Sequence, residues 1–146
     1  MKKWLHALEI GSAAAAMIIS LLLVFFHAPT EQVMGPVQKI FYFHLPLAWW
    51  AFAAFFGVFV SSILVLVTKR EDWDVWAGAL AEAGVLLSGL ALVSGSVWGR
   101  AAWNTWWTWD PRLSTTLVMW FVYAGYLVLR AADVGGAKAA RVRAVL

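Results

Sequence analysis

Apolar residues gather in four long stretches, Ile10–Phe26, Ile40–Val67, Val75–Val97 and Leu113–Leu129. Each is near or above the roughly 17–25 residues that cross a bilayer. The pattern predicts an all-α membrane protein with four transmembrane helices, at 10–26, 46–67, 75–97 and 113–129, in one membrane domain over 1–146. The second stretch is long for one span and carries Pro46 near its start, a residue favoured at the first helical position, so the crossing part is expected to begin there. Lys2 and Lys3 before the first stretch resemble the basic end of a signal peptide, but Phe26 stands where a cleavage site needs a small residue. The first stretch is therefore read as an uncleaved helix.

Basic residues orient these helices. Lys2, Lys3, Lys69, Arg70, Arg130, Lys138, Arg141 and Arg143 fall on alternate segments, against Lys39, Arg100 and Arg112 on the others. The eight-to-three bias predicts a cytoplasmic N-terminus, 68–74 loop and C-terminus. The 27–39 segment and the tryptophan-rich 98–112 loop then face outward. Beyond the fourth stretch, 130–140 reads as a polar, glycine-containing turn, and 141–146 begins to look apolar again. The chain is expected to stop where a further helix would start.

Composition agrees with this picture. Of 146 residues, 63% are hydrophobic and 13% charged, with 11 Trp and 9 Phe, where soluble domains carry roughly 25% charge. A globule this small lacks the polar surface to hide so much apolar material. The absence of cysteine excludes disulfides, thiolate metal sites and cysteine nucleophiles, and leaves the redox compartment open. A net charge of +3, scattered along the chain, argues against nucleic-acid binding.

The candidate chemistry lies in WGRAAWNTWWTWDPRLSTTL, residues 98–117, which has five tryptophans in 12 residues: Trp98, Trp103, Trp106, Trp107 and Trp109. An interfacial aromatic belt explains one or two of them per helix end. If the loop is helical, Trp103, Trp106 and Trp107 form one face, a platform for a flat ligand. Asp110 before Pro111 is a helix-start signal, with the carboxylate as N-cap. Arg112 puts a cation in the first turn, against the macrodipole, and so calls for an anion. Arg112 and Arg100 have Asp110, lipid phosphates or ligand carboxylates as candidate partners. His44, in IFYFHLPLAWW, is expected at the same outward end, either as an interfacial side chain or as a neutral imidazole fit for metal ligation. His27 ends the first stretch on that side, and His6 lies on the other. Glu82 is expected deep in hydrocarbon, a functional candidate by its cost alone.

The 98–117 segment resembles the tryptophan-rich WWD signature of haem-handling cytochrome c assembly proteins. Together with FYFHLPLAWW and the short first outward loop, it is most similar to the haem exporter protein C (CcmC) family, over nearly the whole chain. The resemblance implies a protein of the bacterial cytoplasmic (inner) membrane that holds haem b as transient cargo at the outer face. That cargo passes to a periplasmic haem chaperone, CcmE, during cytochrome c maturation, alongside the membrane subunits CcmA, CcmB and CcmD. It also implies that His44 is an axial ligand of the haem iron. Trp98, Gly99, Trp103, Trp106, Trp107, Trp109, Asp110, Arg112 and Leu113 match the signature and are implied to bind haem and the chaperone. Members of the family usually have six helices and a second outward histidine after the fifth. A chain ending at Leu146 is on this comparison a fragment or a truncated product.

Haem is a flat, largely apolar disc with two carboxylates and an iron that accepts imidazole, so indoles, cations and a histidine suit it. Two rivals stand beside this reading. One is an interaction subunit that docks partners through the tryptophan loop without a cofactor. The other is a small-solute channel organised around Glu82. None of the three implies an enzymatic reaction.

Overall fold

The computed structural model describes residues 2–132 and 137–145. Helix α1 (Lys2–Leu22) runs into a π turn (Leu23–His27), and a 3-10 turn (Pro36–Ile40) leads into α2 (Phe41–Thr68). α3 (Asp72–Trp103), α4 (Pro111–Ala132) and α5 (Ala137–Val145) follow. Among the described residues the β pairing is a single bridge between Glu31 and Gly35. Four segments, Lys3–His27, Pro36–Thr68, Asp72–Trp103 and Pro111–Ala132, are long and apolar enough to cross a membrane. The protein is all-α and multi-pass. It divides into two compact units, Met1–Tyr42 and Phe43–Leu146, and the candidate chemistry concentrates in the second.

Pro46 does not start α2. Pro36 takes the early position of the preceding 3-10 turn, so the helix is already running at Phe41 and Pro46 lies inside it. α3 is longer than the apolar stretch within it. Asp72 and Asp74 in its first turn suit the positive end of the macrodipole, and Arg100 in its last turn suits the negative end. Its 32 residues span about 48 Å at 1.5 Å per residue, against a hydrocarbon core of about 30 Å. That length carries Trp98 and Trp103 as helical residues. Asn104 stops the helix in the left-handed conformation, φ 59°, and donates its N–H to the Arg100 carbonyl at 3.1 Å.

Small residues hold the second unit together. The buried positions of α3 are Asp74, Ala77, Gly78, Ala81, Gly84, Ser88, Ala91 and Gly99, a stripe at helical spacing with one charged member. In lipid, helices gain by close van der Waals approach, and such a stripe permits it. A Cβ on Gly84 would stand 2.5 Å from the Phe55 ring of α2, and one on Gly78 would stand 2.5 Å from Arg130 of α4. Phe55 in turn stacks on Tyr123 with centroids 4.0 Å apart. Val58, Ala77, Ala81 and Tyr126 form the core where α2, α3 and α4 meet. Trp120 of α4 donates its indole N–H to the Val85 carbonyl of α3 at 3.0 Å.

The tail departs from the expected turn. Residues 133–136 of that turn lie outside the described residues, and α5 is helical from Ala137, ahead of the expected restart at 141. Ala140 and Arg143 are buried at 2% and 8% exposure. The segment consists largely of Ala, Lys and Arg, which are good helix formers, and it buries these two residues.

Candidate functional site

The tryptophan segment is not one helix. Trp98 and Trp103 belong to the last turns of α3, whereas 104–110 is an irregular loop that carries Trp106, Trp107 and Trp109. The single helical face expected for Trp103, Trp106 and Trp107 therefore does not form, because Asn104 ends the helix between them. The loop instead folds back over the end of α3. The Thr105 carbonyl would lie 3.1 Å from a Cβ on Gly99, so a glycine there permits the close approach. Thr105 Oγ1 donates to the Trp107 carbonyl at 3.1 Å.

The fold-back encloses a cleft of ≈ 480 Å³ between α2, α3, α4 and the loop, within the roughly 300–1,000 Å³ of ligand sites. His44, Ala48, Ala51 and Phe52 line it from α2, and Ser88, Ala91, Leu92, Gly95, Ser96, Trp98, Gly99 and Trp103 from α3. Thr105, Trp106, Trp107 and Thr108 line it from the loop, and Arg112, Leu113, Thr116 and Met119 from α4. The wall is aromatic and aliphatic with a few polar groups among them. Trp98 packs against His44 with ring centroids 6.0 Å apart, and against Trp103 at 5.3 Å. The Trp107 indole nitrogen is buried with no hydrogen-bond partner among the described residues.

Most of the expected site residues converge here, and two do not. Trp109 is 79% exposed and stands outside the cleft, edge-on to Trp107 at 5.8 Å. Asp110 is occupied by the start of α4: its Oδ1 accepts the Leu113 N–H at 3.0 Å and its Oδ2 the Thr108 hydroxyl at 2.8 Å. Those two bonds, the backbone one first, hold its carboxyl below the usual carboxylate range.

The two arginines separate. Arg100 donates from Nη1 to the Asn104 carbonyl at 2.8 Å and to the Asn104 side-chain oxygen, tying down the end of α3. Arg112 reaches the cleft, and its guanidinium makes no hydrogen bond among the described residues. Glu82 lies on the exposed face of α3 and does not line the cleft. His6 meets Glu9 at 3.3 Å on α1. His27 is described with the first unit.

Ser94 and Gly95 were not singled out in the sequence, yet they fix the imidazole. Ser94 Oγ lies 3.1 Å from His44 Nδ1, and a Cβ on Gly95 would be 3.0 Å from His44 Cε1. The signal available was the run VSGS at 93–96, a small polar break in an apolar helix.

The family described as "Heme exporter protein C" matches the chain over residues 1–146. The "Heme exporter protein C" of Paracoccus denitrificans (strain Pd 1222) is 33% identical over 118 residues, which is 81% of this chain and 49% of the relative. That of Bradyrhizobium diazoefficiens is 36% identical over 136 residues, 91% of this chain and 52% of the relative. That of Escherichia coli (strain K12) is 35% identical over 105 residues, 72% and 43%. The chain spans about half the length of the curated relatives it matches. Its sequence match from end to end, with four helices able to cross a membrane, places it in the haem exporter protein C family.

Proposed function

We propose that the chain binds haem in the cleft beside the tryptophan loop and passes it on unchanged in cytochrome c maturation. One observation carries the reading. A single cleft joins an imidazole, four indoles and a guanidinium, His44 with Trp98, Trp103, Trp106, Trp107 and Arg112, and each suits a different part of haem. His44 supplies an axial nitrogen to the iron. The indoles cover the macrocycle by stacking and edge contacts. Arg112 pairs with a propionate through charge-assisted hydrogen bonds. The Trp107 N–H supplies a second donor, since a buried donor without a partner costs about 1–3 kcal/mol until one arrives. The names of the matching relatives support haem as the cargo. Haem b fits this account as a cargo held by ligation and stacking.

The bias in basic residues supports an orientation with the cleft at the outer face of the cytoplasmic membrane and both chain ends in the cytoplasm. Delivery then runs to a periplasmic chaperone, CcmE, with CcmA, CcmB and CcmD as neighbouring membrane subunits. The exposed Trp109, outside the cleft yet on the same loop, suits a docking contact with the chaperone. It also favours a second reading, in which the whole loop docks partners and no haem is bound.

Titration of the purified chain with haem separates the two. Binding in the cleft gives a Soret band with saturable one-to-one stoichiometry and quenches the tryptophan fluorescence. A chain that captures the chaperone while showing no saturable Soret change is a docking subunit.

A further inference from the structure

We propose that Ser94 is a positioning residue for haem iron: its hydroxyl accepts the Nδ1–H of His44 and so leaves the Nε2 lone pair for the metal. This inference rests on the reading of His44 as an axial ligand. Its ground is the geometry around the imidazole. Ser94 Oγ lies 3.1 Å from His44 Nδ1, across 50 residues of sequence, and donates its own proton to the Ala91 carbonyl at 3.1 Å. A hydroxyl has one proton to give. With that proton given to Ala91, Ser94 turns a lone pair to the imidazole, an arrangement that calls for the tautomer with its hydrogen on Nδ1.

Serine bonding back to its own helix is common and by itself says nothing of a ligand. Two further contacts distinguish this one. Gly95 admits the ring so closely that a Cβ there would be 3.0 Å from Cε1 and 3.5 Å from Nδ1, whereas Nε2 is the far nitrogen at 3.9 Å. The ring therefore meets α3 by its Nδ1–Cε1 edge. Trp98, one turn further along α3, lies against the ring with centroids 6.0 Å apart, and His44 lines the cleft. Metal-bound histidines ordinarily donate their second N–H to an acceptor, which sets the tautomer, aims the ring and raises the basicity of the ligating nitrogen. Ser94 is placed to be that acceptor.

The test is the full chain loaded with haem, reduced, and read by the iron–histidine stretch in resonance Raman together with haem affinity. Ser94→Ala lowers the stretching frequency and weakens haem binding about tenfold, whereas Ser94→Thr, which keeps the hydroxyl, preserves both. A second arm does not depend on how Ser94 variants fold. In His44→Gly, added imidazole restores the ligated spectrum at a concentration at least about tenfold lower than 1-methylimidazole does, because only imidazole can donate an N–H while it ligates. That preference disappears in the His44→Gly, Ser94→Ala pair. Unchanged stretch and affinity in Ser94→Ala, with haem lost in His44→Ala, overturns the role of Ser94 and leaves the axial ligand standing. Equal rescue of His44→Gly by the two imidazoles also overturns it. A haem spectrum unaltered in His44→Ala overturns the axial reading, and this proposal with it.

Discussion

Arg143 of α5 grips Asp74 of α3 with two bonds, Nε to Oδ1 at 3.2 Å and Nη2 to Oδ2 at 2.8 Å. Arg130 of α4 adds a third from Nη1 to Oδ1 at 2.9 Å. One carboxylate thus ties the ends of three helices at the opposite end of α3 from the 98–112 segment. The side chains of Asp74 and Arg143 are 9% and 8% exposed, so removing the anion takes from both arginines the carboxylate they share.

Loss of one partner from a buried pair costs about 3–5 kcal/mol. Asp74→Ala should therefore release α5 from α3. Limited trypsin digestion in detergent is expected to cut after Arg141 and Arg143 at least about tenfold faster in the variant. Equal rates would mean that α5 is held by contacts other than this carboxylate.

Asp110 separates structure from ligand binding. Its folded-state carboxyl is depressed by the Leu113 N–H and the Thr108 hydroxyl. Such a group stabilises the helix start above its unfolded value of about 3.9, and loses that effect as pH falls through the lower folded value. Amide-exchange protection at Leu113 should hold from neutral pH down to about 4 and fall below it. Asp110→Asn should keep the cap and lose this pH dependence, while Asp110→Ala should lower protection throughout. Normal protection in Asp110→Ala accompanied by loss of haem would give the carboxylate to the ligand.

The tryptophans of the cleft should obey ring chemistry. Aromatic contacts are worth about 0.5–1.5 kcal/mol each beyond the area they bury, so alanine at both Trp106 and Trp107 should weaken haem binding by roughly tenfold or more. Phenylalanine at both should keep much of it. Arg112→Ala should weaken native haem more than haem with both propionates esterified. Equal loss for the two haems would assign the arginine to the fold or to lipid.

The architecture was legible where one side chain pattern dominates. Four apolar stretches announce four helices because backbone in hydrocarbon must satisfy its own hydrogen bonds. The ends were less legible, since they are set by tertiary contacts. α5 exists because Arg143 finds Asp74, a pairing 69 residues long in sequence that no local pattern encodes. Pro46 misled because Pro36 had already opened the helix. At the site, the tryptophans and His44 stood out by residue type. Arg112 stood out as a first-turn cation, but Arg100 shared its candidate partners, and only the αL turn at Asn104 shows Arg100 spent on its own helix end. Ser94 and Gly95 were missed because small residues in an apolar helix usually signify packing, and their meaning appears only when the imidazole of another helix lands on them.

Topology is testable independently of haem. Reporter fusions at Lys69 and Asn104 should report opposite compartments, with Lys69 cytoplasmic, as the distribution of basic residues requires. Both fusions on one side would contradict the four-span arrangement.

The most direct measurement is the haem content of the purified chain and its histidine variants, taken from the Soret band at equal protein concentration. His44→Ala should lose most of the haem, His6→Ala should retain the full amount, and the ligand-field bands of the remaining haem in His44→Ala should no longer be those of an imidazole complex. Full haem content with an unchanged spectrum in His44→Ala would contradict the account, and loss in His27→Ala alone would move the iron ligand to that residue.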